Sequence, residues 1–472
     1  MIQGLKPYPE YRETDIAWLG GIPAHWKVLP LGGLLAERKE KNDPIKTTNI
    51  LSLSLHDGVI PYADKRPGGN KAKNDLTAYK LAYSGDIVLN SMNVVVGSVG
   101  LSKYFGAVSP VYYMLYPRNP ADLVEFFDAI FQNAIFQRSL FGLGNGIMVI
   151  QSKSTGKLNT IRMRIPMTKL KRIHLPYPPP AEQSAIVRYI NYANKRLDGT
   201  IKTKRRMMAL LNEQKQVIVD RAVTRGLDPS VPLKPSVIPW LGDIPKHWKI
   251  LRAKHLFSEI DERSNRGEEE LLSVSHITGV TPRSEKNITM FKAQSYAGHK
   301  LCRPGDLVVN TMWAWMAALG ISSYMGIVSP AYAVYRPSCP ERLDGQYIDF
   351  LLRTRPYISN IICHSTGLRL SRLRLYPESF FRLPILLPPA DEQKQIVKQI
   401  SIETAQISTA VSRIEREIDL LREYRTRLTA DIVTGKLDVR DAALKLPTQS
   451  FEQEAAPNME DSLETEPEEV EV

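Results

Sequence analysis

Along the last third of the chain, Ile396, Ile400, Ile407, Val411, Ile414, Ile418, Leu421, Leu428 and Ile432 recur at spacings built from three and four residues. That is the seam of an amphipathic helix of the coiled-coil kind. The same seam occurs earlier as Ile186, Ile190, Ala193, Leu197, Ile201, Met208, Leu211, Ile218 and Ala222, with Lys204 where the later copy has Ile414. Pro179 and Pro180 precede the first seam, with Glu182 and Gln183 in its opening turn; Pro388, Pro389, Asp391 and Glu392 repeat the arrangement. Proline needs no N–H at a helix start, and negative charge there meets the helix dipole favourably. Gly226 and Gly435 supply the stops. A helix from Ala181 to Thr224 would run about 66 Å at about 1.5 Å per residue. Each apolar seam requires a partner: its twin packed antiparallel, or another protein.

The rest alternates short apolar runs with glycine and proline punctuation, the signature of irregular mixed domains, and it is written twice. WLGGIPAHWKVL (Trp18 to Leu29) returns as WLGDIPKHWKIL (Trp240 to Leu251), identical at nine of twelve positions. GDIVLNSM (Gly85 to Met92) returns as GDLVVNTM (Gly305 to Met312), and GAVSPVYYMLYP (Gly106 to Pro117) as GIVSPAYAVYRP (Gly326 to Pro337). PPPAEQ (Pro178 to Gln183) pairs with PPADEQ (Pro388 to Gln393), and VTRGLD (Val223 to Asp228) with VTGKLD (Val433 to Asp438). The order is the same in both halves, so one unit of about 220 residues is duplicated, which predicts a pseudo-twofold protein. In the GD boxes Asp86, Val88, Asn90 and Met92 match Asp306, Val308, Asn310 and Met312 while intervening positions drift, the mark of one shared face of a core strand. The expected fold class is α+β: two pseudo-twofold-related α/β domains separated by two long antiparallel coiled-coil helices. The expected boundaries are 1–178 for the first domain, 179–226 for the central helix, 227–388 for the second domain, 389–436 for the distal helix, and 437–472 for a tail disordered from about 451.

The formal charge of +12 understates the body of the protein, because the segment Phe451 to Val472 holds nine acidic residues and no basic one. Residues 1–450 carry 62 basic against 41 acidic residues, an excess of +21. Such an excess points to a polyanion partner. No apolar run serves as a signal peptide or approaches the roughly 20 residues of a membrane span, so a cytoplasmic location is expected. Cys302, Cys339 and Cys363, odd in number and without CxxC spacing, read as reduced structural thiols.

Before the first long helix, Lys153, Lys157, Arg162, Arg164, Lys169, Lys171 and Arg172 lie in a stretch without acidic residues; Arg369, Arg372, Arg374 and Arg382 occupy the matching place in the second unit. Each stretch carries a Ser-Thr-Gly turn, with Ser154 and Thr155 in one and Ser365 and Thr366 in the other, and Arg162 and Arg164 register with Arg372 and Arg374. Hydroxyls and backbone N–H groups beside arginines suit phosphate clamping, and arginine also reads guanine edges; taken singly, each cation is equally a solvated surface residue. Lys202, Lys204, Arg205 and Arg206 form another basic patch, mid-helix. The units differ most where Asn93 to Val96 is replaced by Trp313, Ala314, Trp315 and Met316 and at Arg66 to Asn74, which has no convincing counterpart; readers of different sequences would diverge at base-contacting positions, but tryptophans packed into a core explain the first difference more simply.

No catalytic constellation emerges. GxxxxGK[ST] is absent, FGLGNG (Phe141 to Gly146) lacks the spacing of a nucleotide loop, and the eight histidines show no metal-ligand pattern. The triplets Glu37-Arg38-Lys39 and Glu392-Gln393-Lys394 resemble nuclease spacing, but Ser184 breaks it in the other copy.

The IPxHW box, the GD strand, VSPxY, PPxxEQ heading a long helix and VTG or VTRG ending it, duplicated in order over about residues 15 to 440, resemble the specificity subunits of Type I restriction and modification systems. The resemblance implies a non-catalytic DNA-binding subunit. Each domain would read one half of a split, asymmetric DNA target, while the helices hold the spacing and dock two modification subunits. Those partners would supply S-adenosylmethionine-dependent adenine methylation, and restriction subunits the ATP- and Mg-dependent translocation and cleavage; no cofactor or metal belongs to this chain. A free-standing pseudo-symmetric DNA-binding regulator is the alternative.

Overall fold

The computed structural model describes residues 5–447 apart from 56, 66–71, 74, 145–148, 152–157, 161–163, 286–294 and 368–372. Chain contacts divide the protein into two compact units: Met1–Ile150 with Thr160–Leu197 and Glu423–Val472, and Gln151–Asn159 with Asp198–Arg422.

In the first unit β1 (Leu35–Arg38), β2 (Ile87–Asn90), β3 (Val99–Leu101) and β4 (Tyr112–Pro117) form an antiparallel sheet ordered β1-β4-β2-β3. The second unit repeats it with β5 (Phe257–Ile260), β6 (Leu307–Val309), β7 (Leu319–Ile321) and β8 (Ala333–Pro337), ordered β5-β8-β6-β7. The GD boxes therefore supply an inner strand, buried on both faces. Ile87 and Leu89 join the main core, while Val88 packs with Met114, Val108 and Leu51 on the other side. Leu307, Val309 and Val308 repeat that division. The preceding glycine adopts a left-handed backbone in both copies, φ +87° at Gly85 and +92° at Gly305, which a side chain would strain.

Helix α1 (Val124–Phe131) packs Phe126, Phe127, Ile130 and Phe131 into the first core, and α3 (Gly345–Leu352) packs Tyr347, Ile348, Leu351 and Leu352 into the second. The long helices are α2 (Pro180–Arg225) and α4 (Ala390–Val433), of 46 and 44 residues. In the first unit Ile186, Tyr189, Ile190 and Ala193 of α2 share a core with Leu428, Ile432 and Val433 of α4. In the second, Ile201 clusters with Ile414 and Ile418, Lys204 Nζ meets Glu417 at 2.5 Å, Lys215 Nζ donates to Ser408, and Val219, Ala222 and Val223 share a core with Ile396, Val397 and Ile400. Numbers rise along one partner as they fall along the other, so these segments run antiparallel. Of the seam positions read from sequence, Ile186, Ile190, Leu197, Ile201, Ile396, Ile400, Ile414 and Ile418 are buried; Leu211, Ile218, Ile407, Val411 and Leu421 are half-buried. Near the end of α2 the apolar face turns from Ile218 to Val219, which faces the second core.

The remaining repeat boxes meet at the helix heads. Glu182, buried in the first turn of α2, accepts from Trp26 Nε1 at 3.0 Å and Tyr8 Oη at 2.5 Å, and its other oxygen lies 2.8 Å from His25 Nε2. Glu392 at the head of α4 receives Trp248 Nε1 at 3.0 Å and His247 Nε2 at 2.7 Å. The next residue, Gln183 or Gln393, accepts from the backbone N–H of Leu123 or Asp344 and donates to the carbonyl of Pro178 or Pro388. The glycine stops close the same knots. A Cβ on Gly435 would lie 2.3 Å from Pro23 Cδ, and one on Gly226 would lie 3.3 Å from the Trp248 ring. Both glycines are left-handed, φ +77° and +78°.

Removing a buried, multiply hydrogen-bonded carboxylate strands its donors. Glu182→Ala should therefore destabilise the first unit by about 3 kcal/mol, and Glu392→Ala, whose carboxylate is better solvated, should cost the second about 1–2 kcal/mol. Hydrogen exchange around Trp26 and Trp248 reads the two separately; equal protection in the variants and the parent would refute the knot's importance.

Candidate nucleic-acid interface

The same backbone anchor delivers each basic segment to its sheet. Ile165 N–H donates to the Ser91 carbonyl just beyond β2, and Leu375 N–H donates to the Thr311 carbonyl just beyond β6, both at 2.9 Å. In the first unit Tyr113 Oη fixes the carbonyl of Ile165 as well. Arg164 and Arg374, each one residue ahead of its anchor, are exposed in both units. The two arginines that register in sequence thus precede equivalent backbone attachments.

Around Arg164 the first unit gathers further cations. Lys80 Nζ donates to the Tyr112 carbonyl at 2.8 Å and lies 5.3 Å from the Tyr113 ring centre. Burial holds its pKa below the usual lysine value; Glu37 opposes that shift, and the Arg164 and Lys39 charges add to it. Lys171 lies 3.6 Å from Glu37, which Lys39 also approaches at 3.8 Å, so one carboxylate balances several cations. An anion bound here would relieve that repulsion. In the second unit the matching Lys300 is buried and lies 3.6 Å from Asp261, which also pairs with Arg263 at 2.9 Å. Lys300 thus has a carboxylate within ion-pair distance, shared with Arg263, where Lys80 has a backbone carbonyl.

Lys153, Ser154, Thr155, Lys157, Arg162, Arg369 and Arg372 lie outside the described residues. Thr366 forms an antiparallel bridge with Arg374 through both backbone groups, 3.0 and 2.9 Å, and is exposed. Ser365 closes the helix Arg355–His364, its hydroxyl donating to the Ile361 carbonyl at 2.7 Å, so part of its bonding capacity serves the fold. Arg172 is exposed. Lys80 was not singled out from sequence, and Lys39 figured only in a triplet with nuclease-like spacing. A lysine five residues before the GD glycine in each unit, Lys80 and Lys300, was the signal available.

Other candidates resolve into structure. Arg38 forms a two-pronged pair with Asp86, 2.8 and 3.1 Å, and the triplet it belongs to supplies ion pairs. The second unit rebuilds the pair from the neighbouring strand: Arg336 reaches Asp306 at 2.8 and 2.9 Å. The Trp313 and Trp315 rings stack at 6.0 Å, half-buried, while Val94 and Val95 at the corresponding turn are buried. Cys302 is buried, which pushes its thiol up to about 11. No group of three or more metal-ligating side chains occurs among the described residues, and no described helix is long and apolar enough to cross a membrane.

No family model matches the sequence, and no curated protein matches it closely enough to be counted. Solved structures do. A chain from a structure on the complex assembly and conformational transition of the type I R-M system aligns with a TM-score of 0.57 at 14% identity, covering 88% of this chain and 99% of that one. Two weaker likenesses are to the HsdS subunit from Thermoanaerobacter tengcongensis, TM-score 0.40 at 14% identity over 90% and 100% of the two chains, and to a Type-I restriction-modification system S subunit from M. genitalium, TM-score 0.32 at 12% over 86% and 96%. The first of these places the chain in a fold found in a type I system.

Each exposed, anchored arginine should contribute one phosphate contact. Arg164→Ala and Arg374→Ala are each expected to weaken DNA binding and to reduce the slope of log affinity against log salt by about 1. Titrations at several salt concentrations that return the parent's slope would remove these side chains from the interface.

Proposed function

We propose that this chain is the DNA-reading specificity subunit of a type I restriction and modification complex, non-catalytic by itself. The observation that carries the proposal is the duplicated anchoring of the chain beside an exposed arginine, Arg164 or Arg374, at the end of an equivalent strand, on a fold shared with a type I system chain. Each domain grips one half of a bipartite, asymmetric duplex target. Arginine contacts to phosphate fix register, and base edges are read by residues that differ between the units.

The antiparallel stretches of α2 and α4 join in this reading into one continuous coiled coil that holds the two half-sites a fixed interval apart. Exposed apolar side chains remain on these helices, Met207, Leu210 and Val217 on α2 and Ile402 and Leu420 on α4. They give two modification subunits a surface to dock on. Those subunits bring S-adenosylmethionine, and restriction subunits bring ATP and Mg; the complex works on DNA in the cytoplasm.

A ruler can be lengthened. Four residues inserted after Leu197 and after Ile407 extend each helix by about 6 Å. With about 3.4 Å per base pair, the recognised spacer should grow by one or two base pairs with both half-sites unchanged. Methylome sequencing of cells carrying the altered gene reads this directly, and an unchanged spacer would defeat the ruler.

A further inference from the structure

The first unit contains a cavity of about 360 Å³ whose walls come from α1, the first turns of α2 and the last turns of α4. Asp128 and Asn133 line it, with Asn191, Asn194 and Thr429. Among the buried polar atoms there without a hydrogen-bond partner are Asp128 Oδ1 and Asn133 Nδ2. Asn133 is itself 3% exposed, and its amide oxygen is already used, capping the next helix by accepting from Ile135 N–H. Its amide N–H groups therefore have only the cavity to serve. Burial first, and then the neighbouring Glu125 charge, push the Asp128 carboxyl up to about 6, with Gln132 opposing.

The second unit shows how this carboxylate is otherwise satisfied. Asp349 occupies the same place on α3, and Arg353 one turn later pairs with it at 3.2 Å. The Arg353 guanidinium also donates to the carbonyls of His276 and Leu319. In the first unit the residue one turn on is Gln132, whose Nε2 reaches the matching carbonyl, Val99, at 3.1 Å but brings no charge. One copy of the duplicated unit thus has a carboxylate with its own cation, and the other has the carboxylate without one.

We propose that this cavity receives an arginine or lysine side chain presented on a segment of a partner polypeptide. The cation takes the role that Arg353 plays within the second unit, and a backbone carbonyl beside it accepts from Asn133. A peptide meets both open groups at once, a donor for Asp128 and an acceptor for Asn133, whereas a free amine meets only the first. The volume lies at the lower end of the about 300–1,000 Å³ of ligand sites, suited to one side chain with its flanking peptide. Arg425 also lines the cavity and has contacts of its own.

Titration calorimetry on the full chain tests this with N-acetyl-arginine amide, its uncharged citrulline counterpart, and agmatine, which has the cation without the carbonyls. The arginine amide should bind saturably in about the millimolar range, at least tenfold more tightly than the other two. Asp128→Asn should abolish that preference, and Gln132→Arg, which supplies the cation internally, should lose binding while raising the melting temperature of the chain. Equal binding of arginine and citrulline forms, agmatine binding as tightly as the amide, unchanged binding by Asp128→Asn, or no saturable binding at all would each overturn the assignment. None of these readouts involves DNA, so they stand apart from the tests of the interface.

Discussion

A carboxylate in the first turn of a long helix, tied to an indole and an imidazole from a distant box, is the contact on which each unit depends. Glu182 and Glu392 sit where the helix dipole already favours negative charge, and that charge is spent on fixing Trp26 with His25, or Trp248 with His247. The glutamine that follows fastens the turn before α1 or α3, and a left-handed glycine at the end of the other long helix lets that helix pack beside the same tryptophan. Each unit is therefore completed by the start of one long helix and the end of the other. Neither helix can be withdrawn without opening a core.

Within each unit the start of one long helix and the end of the other are thus held beside one tryptophan and packed on apolar side chains. The two units then differ where rigidity is not at stake. The Arg–Asp pair is rebuilt from another strand, and the lysine near the GD strand meets a carboxylate in one copy and a backbone carbonyl in the other. Divergence on a common frame is what two readers of different half-sites require.

Much of this was legible in the sequence because it was written twice. Period and punctuation marked both helices to within a residue at their starts, since proline and glycine act locally. The GD boxes read as core strands from their alternating identities, which suggested one shared buried face, whereas both faces of the strand are buried. What the sequence hid was the pairing of the boxes with each other. Glu182 and Glu392 read as dipole complements, while their hydrogen bonds to tryptophan and histidine span more than 140 residues and leave no local trace. The grouping of Lys39 and Lys80 with Arg164 escaped for the same reason: it forms only after β1, β4 and the chain at Arg164 come together. Asp128 was equally silent, because its significance lies in Gln132 standing where the other copy has Arg353.

The central claim is that one polypeptide grips two separated stretches of duplex at a fixed interval. Hydroxyl-radical footprinting of the chain, assembled with its modification partners on a target identified by methylation mapping, tests it most directly. Two short protected tracts flanking an unprotected spacer of constant length are predicted, and a single continuous footprint, or protection of one tract alone, would contradict the account.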